Sequence, residues 1–310
     1  MLFRSDPKKA KILRKKLAPF FSPNSINKII NKIEYTTDKT IDTWIEKYSD
    51  KIIPLNRELI NYTYDSVSNC LFSGFMHSKL FDEKKFHENF RKLLLKKAKF
   101  NFFDLFGFEK ISLYYDLMYY SKYEGDIENS ILSLMNERKK MLEDNDYIPD
   151  LLTEIMSPDN KLSKYEMSSN IFGFLVTGHE TTAQTLSWTL FLLSQSSEWY
   201  ELAKKESINT NINNYFNYEQ ELPIITAVLK EAMRLYPVIP IMARISTEND
   251  KIKNLNIEKN TKIIVAPWVL HKHFDFWKNP FSFNPERFLP ENNKNIVKNT
   301  YIPFGLGPRT

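Results

Sequence analysis

Apolar side chains recur three and four positions apart along most of this chain, the spacing that lines one face of an α-helix. The pattern predicts helices over Lys8–Leu17, Ser25–Tyr48, Leu55–Leu71, Lys84–Ala98 and Asp126–Leu142, and a long one over Lys164–Ser196. Pro19, Pro23, Pro54, Pro149 and Pro158 punctuate these runs, as expected of a residue that lacks an amide donor and starts or stops helices. Beyond Pro237 the period changes. Ile241–Ser246 and Lys262–Ala266 read as short strands, followed by an aromatic, proline-rich coil from Trp268 to Pro303. A coil of that length inside a domain is functional or disordered, and its aromatic content predicts that it is packed. No internal repeat or low-complexity linker interrupts the chain. The fold class is therefore mainly α, a single domain over 1–310, with a long central helix and small β elements near the C-terminal part.

Composition supports a sizeable core: 42% of the 310 residues are apolar, and 23 Phe, 16 Tyr and 5 Trp suit a thick interior or a flat hydrophobic ligand. A lone cysteine, Cys70, excludes a disulfide framework and fits a reducing compartment. No apolar run approaches the ~20 residues that cross a bilayer. Met1–Lys16 is basic with no apolar stretch behind it, so no signal peptide is expected. These features predict a cytoplasmic protein. The net charge of +5 gathers partly at Lys8, Lys9, Lys11, Arg14, Lys15 and Lys16. That cluster is either a solvated helix face or a docking patch for an acidic partner. It lacks the interleaved aromatics and the motifs of nucleic-acid binding.

Three segments carry candidate chemistry. Ile171–Trp188, IFGFLVTGHETTAQTLSW, places Thr177, Gly178, His179, Glu180, Thr181 and Thr182 at the middle of a strongly apolar helix. Polar groups in such a place need partners or a function. The Thr181 hydroxyl falls within reach of the Thr177 carbonyl, and Gly178 removes a side chain from the same turn, so the helix can open a polar notch here. Leu229–Leu235, LKEAMRL, sets Glu231 and Arg234 three apart on one face, and Arg287 follows in NPERFLP. The tail YIPFGLGPRT spends two of only 7 glycines, Gly305 and Gly307, within three positions. Glycine serves where the backbone turns with positive φ or nears a ligand, and Arg309 offers a cation suited to a carboxylate. An ordinary Gly-Pro turn is the other reading of this tail. His271 and His273 form H-x-H without a third ligand at metal spacing, so no protein-ligated metal site is expected. Phosphate loops, dinucleotide fingerprints and hydrolase elbows do not occur.

Taken together these segments resemble the cytochrome P450 family in their order: the Gly-acid-Thr-Thr helix, E-x-x-R, P-E-R-F and then F-x-x-G-x-R as far as the residue before its cysteine. The resemblance implies the P450 fold, incomplete here. The leading helices and sheet are expected to precede this sequence, and the cysteine loop and last helix to follow Thr310. Cys70, in the helical run SVSNCLFSG without a glycine-arginine loop, reads as a small buried hydrophobe and not as the iron ligand. The implied cofactor is haem b, held by an axial cysteine. Phe304, Gly305 and Gly307 would form its loop, while Arg309, Arg244 and Arg14 would pair with its propionates. Ala10 stands where the family usually has an aromatic residue four positions before that last arginine. Glu180 and Thr181 become the acid–alcohol pair that relays protons to bound dioxygen, Gly178 leaves room for it, and Thr177 replaces a common alanine. Glu231, Arg234 and Arg287 become a buried ionic knot. The implied activity is insertion of one oxygen atom of O2 into an apolar organic substrate, with electrons from a ferredoxin or flavoprotein reductase. Two alternatives stand beside it: a truncated, catalytically inactive remnant that does not bind haem tightly, and a helical interaction protein. A membrane anchor in an N-terminal part remains compatible with the sequence.

Overall fold

The computed structural model describes residues 7–74, 88–89, 109–144, 148–210 and 218–307, with backbone alone at 7–10 and 109–124. The helix expected over Lys84–Ala98 therefore falls outside the described residues, apart from Glu88 and Asn89, and so does Arg309. The chain forms two compact units, Met1–Ile53 with Asn61–Glu180, and Pro54–Ile60 with Thr181–Thr310.

The first unit contains α1 (Pro7–Leu17), α2 (Pro23–Tyr48), most of α3 (Leu55–Leu71), α4 (Glu109–Glu143), α5 (Leu151–Met156) and the first half of α6 (Lys164–Ser194). Its core shows the period read from the sequence. Ile127, Ile131, Leu134 and Met135 of α4 are buried at successive turns against Leu13, Leu17, Leu152 and Ile171, one apolar stripe facing inward. Sequence-local chemistry fixes the helix ends. Ser22 Oγ accepts the Ser25 amide before α2. Ser163 and Glu166 form a reciprocal capping box, Ser163 Oγ accepting the Glu166 amide while Glu166 Oε2 accepts the Ser163 amide at 2.9 Å. Arg138, fully buried, donates to both carboxylate oxygens of Asp150 and to Thr153 Oγ1, which ties the end of α4 to the start of α5.

The second unit holds the rest of α6, α7 (Ser197–Asn209), α8 (Tyr218–Glu221), α9 (Pro223–Leu235), β1 (Met242–Ile245), β2 (Asp250–Ile252), β3 (Leu255–Ile257), β4 (Lys262–Val265), α10 (Pro267–Leu270) and α11 (Pro290–Asn293). The two expected strands are β1 and β4, paired antiparallel with Met242 opposite Val265 and Arg244 opposite Ile263. Between them β2 and β3 form a hairpin that the sequence pattern does not announce. Its turn passes through Lys253 at φ 53, where the usual glycine or asparagine–glycine signal is absent. Glu206 of α7 accepts the amides of Ile224 and Ile225 at 2.9 and 2.8 Å. A carboxylate thus sits on the exposed amides that begin α9. The coil after α10 is packed, as its aromatic content predicts. Trp277 and Phe288 are buried with Ala227 of α9, and Tyr301 packs against them. Among the described residues no helix is long and apolar enough to cross a membrane.

Candidate functional site

The organising group of the second unit is Glu231. Its carboxylate accepts Arg234 Nε and Nη2 at 2.7 and 2.8 Å, a bidentate pair within one turn of α9, and both side chains are 0% exposed. Neither charge is spent on α9 alone. Glu231 Oε1 also accepts the Asn284 amide at 2.9 Å and lies 3.5 Å from Arg287 Nε. Arg234 Nη1 donates to the carbonyls of His271 and Pro280 at 2.8 and 2.7 Å, and Nη2 to that of Ser282 at 3.2 Å. Arg287 Nη2 donates to the Asn279 carbonyl at 3.0 Å. The guanidinium of Arg234 also lies 5.1 Å from the centre of the Trp277 ring, a cation–π contact in a dry setting. The three residues singled out in LKEAMRL and NPERFLP thus meet around one carboxylate, and they fasten backbone from His271 to Asn284.

That coil leads into the glycine loop. Ile302 N–H donates to His271 Nε2 at 2.8 Å, and Ile302 carbonyl accepts the Gly305 amide at 3.0 Å. Gly305 and Gly307 have φ of +81° and +111°, left-handed values that explain why glycine stands at both. A Cβ on Gly305 would also come 3.1 Å from Met242 Sδ of β1. Phe304 is 77% exposed, Leu306 and Ile241 are exposed, and Arg244 on β1 presents a solvent-facing guanidinium that donates to the Ala243 carbonyl. Exposed apolar side chains, a tight glycine loop and a nearby strand bearing a cation suit a flat apolar group with acidic edges, so the residues present fit haem.

In the first unit, α6 carries the polar segment without interruption. Thr177 Oγ1 returns to the Gly173 carbonyl at 2.7 Å, and in the second unit Thr185 Oγ1 does the same to Thr181 at 3.0 Å. Glu180 and Thr181 are half-buried and Thr177 is exposed. Gly178 faces α3: a Cβ there would stand 2.8 Å from Val67 Cγ2, so close helix approach gives this glycine a packing reason of its own. His179, to which the sequence assigned no role, is fully buried. Its Nδ1 lies 2.6 Å from the Leu175 carbonyl, its own carbonyl accepts Thr63 Oγ1 at 3.0 Å, and its ring meets Tyr64 edge-on. Arg14 lies on the exposed side of α1, whose Leu13 and Leu17 point inward. Burial pushes the Cys70 thiol up to about 11, the opposite of the thiolate that binds iron.

Sequence reasoning missed His271. The H-x-H pair diverges: His271 is fully buried with its Nε2 engaged, whereas His273 is half exposed and its Nδ1 accepts the Asp275 amide at 3.3 Å. Nothing local in HKHF marks a contact with a residue thirty-one positions on. Tyr301 and Asn284 were likewise unremarked. The Tyr301 hydroxyl donates to the Lys230 carbonyl at 3.1 Å, and its burial pushes the phenol far up.

Two outcomes follow from this geometry. Glu231→Ala leaves Arg234 buried without a counter-charge, a loss of about 3–5 kcal/mol. We expect it to abolish soluble expression or haem uptake, and normal yield with an intact haem spectrum would refute this. The second concerns pH. Burial, reinforced by the Arg234 and Lys272 charges, pushes His271 down from 6.5 to about 4. The unfolded chain therefore takes up a proton between about 6.5 and 4 that the folded chain refuses. The stability is complete above 6.5 and is lost as pH falls through that window. Urea unfolding of the wild type and His271→Gln at pH 7 and pH 5 reads this: the wild-type advantage should shrink at pH 5, and an unchanged or larger advantage contradicts it.

A family model described as Cytochrome P450 matches residues 1–310. Cytochrome P450 4V2 of Rattus norvegicus is 32% identical over 165 residues, covering 52% of this chain and 31% of that protein. Probable cytochrome P450 6d5 of Drosophila melanogaster is 25% identical over 342 residues, covering 99% of this chain and 66% of that protein. Among solved structures, the haem domain of a cytochrome P450DA mutant shares the fold with a TM-score of 0.76 at 21% identity, covering 100% of this chain and 68% of that one. The chain thus spans less than two thirds of the length of these curated relatives. With a buried Glu-Arg knot gripping a packed coil that ends in a glycine loop, and a family match along its whole length, this chain belongs to the cytochrome P450 family.

Proposed function

We propose that this protein is a haem-dependent monooxygenase that inserts one oxygen atom from O2 into an apolar organic substrate, with electrons delivered by a ferredoxin or flavoprotein reductase. The observation that carries the reading is the Glu231–Arg234 pair, buried without exposure and bonded to the coil that leads to Gly305 and Gly307. Buried charges are expensive to keep, and here their bonds go into fixing irregular backbone.

Haem supplies the oxygen chemistry when bound, and the protein supplies its place and its protons. Phe304, Gly305 and Gly307 would shape the loop that holds it. Arg244, Arg14 and Arg309 would be the cations for its propionates, guanidinium being suited to a carboxylate by its fork of donors. Glu180 and Thr181, neighbours on α6, would serve as the acid–alcohol pair that hands on protons while haem is bound. Gly178 keeps a side chain out of that turn of the helix.

Thr181→Ala tests the relay. General acid–base groups typically contribute 10²–10⁴ in rate, so product formed per reducing equivalent should fall about tenfold or more while haem content stays the same. An unchanged ratio of product to reducing equivalents overturns the relay.

A further inference from the structure

We propose that His271 is a positioning residue for the glycine loop: its imidazole Nε2 holds the Ile302 amide so that the Phe304–Gly307 turn is presented to haem in one fixed place. This rests on the haem reading given above. His271 joins two structures with two different atoms. Its backbone carbonyl accepts Arg234 Nη1 at 2.8 Å, and its ring Nε2 accepts Ile302 N–H at 2.8 Å. Ile302 in turn accepts the Gly305 amide at 3.0 Å through its carbonyl. A chain of three hydrogen bonds therefore runs from the ionic knot to the first left-handed glycine, with His271 as its middle link.

The ring is held for its acceptor. With Nε2 accepting, the neutral ring carries its proton on Nδ1, which is buried toward the backbone of Met233 and Arg234 at the end of α9. The ring is confined on its other sides as well. The Tyr301 ring lies tilted against it at 5.4 Å between centres, and its hydroxyl is bonded to the Lys230 carbonyl at 3.1 Å. Trp277 Nε1 donates to the Leu270 carbonyl at 3.2 Å, fixing the residue before His271. Leucine at 271 would fill the same space and leave the Ile302 amide buried without an acceptor, whereas glutamine places an amide oxygen near the position of Nε2.

The test uses the haem-loaded protein produced from its natural gene, as wild type, H271L and H271Q. Two quantities are read: deuterium exchange at the Ile302 amide, and the rate at which haem passes to excess apomyoglobin. In H271L both should rise about tenfold, the loss of one buried hydrogen bond, while H271Q stays within about threefold of the wild type. Rescue by glutamine separates positioning from mere filling of space. Unchanged exchange in H271L overturns the proposal, and so does faster exchange with unchanged haem release. Should H271L fail to fold, H271N takes its place, its amide too short to reach Ile302, with the same expectations. A wild type that takes up no haem removes the monooxygenase reading. The exchange comparison alone then decides whether His271 anchors the loop.

Discussion

A fully buried carboxylate and guanidinium, Glu231 and Arg234, fix the coil that follows α10. Their mutual bidentate bond uses only part of their capacity. The remaining donors of Arg234 reach three carbonyls on the coil, and the remaining acceptor capacity of Glu231 takes the Asn284 amide and faces Arg287. Desolvating two charges is repaid only when every donor and acceptor is met. The coil must therefore wrap α9 in one way, and a segment with almost no regular secondary structure acquires a single conformation.

This resolves a difficulty inherent in irregular backbone, whose amides and carbonyls have no ladder to join. Between Leu270 and Gly305 short backbone turns meet some of those groups, and the side chains of Arg234, Arg287, Glu231, Trp277 and His271 meet others. The aromatic residues close the same region to water, with Trp277, Phe288 and Tyr301 packed on Ala227. Polar satisfaction and apolar burial thus act on the same thirty-odd residues, and the glycine loop inherits their order through Ile302.

The helices were legible in the sequence because burial on one face imposes a period. α3 has the bounds Leu55–Leu71 that the pattern gave, and α6 continues through its polar segment to Ser194. The strands at Met242–Ile245 and Lys262–Val265 were legible to within a residue or two, whereas β2 and β3 were not, since Lys253 turns their hairpin without glycine. In the site, Glu231 and Arg234 could be picked out by spacing, but their burial could not. It is created by residues some fifty positions on, such as Asn284 and Arg287. His271 was given no role for the same reason. Arg138 and Asp150, twelve residues apart, went unnoticed because their meeting depends on how α4 and α5 pack. Gly178 was read for a ligand, while its contact with Val67 lies in a different helix and leaves no mark nearby in the chain.

The decisive experiment is optical. The protein expressed from its natural gene, supplied with hemin, reduced and exposed to carbon monoxide, should show the red-shifted Soret band of sulfur-ligated haem. A protein that stays well folded yet takes up no hemin, or gives the unshifted band of nitrogen-ligated haem, would contradict the view that this coil is fixed in order to hold that cofactor.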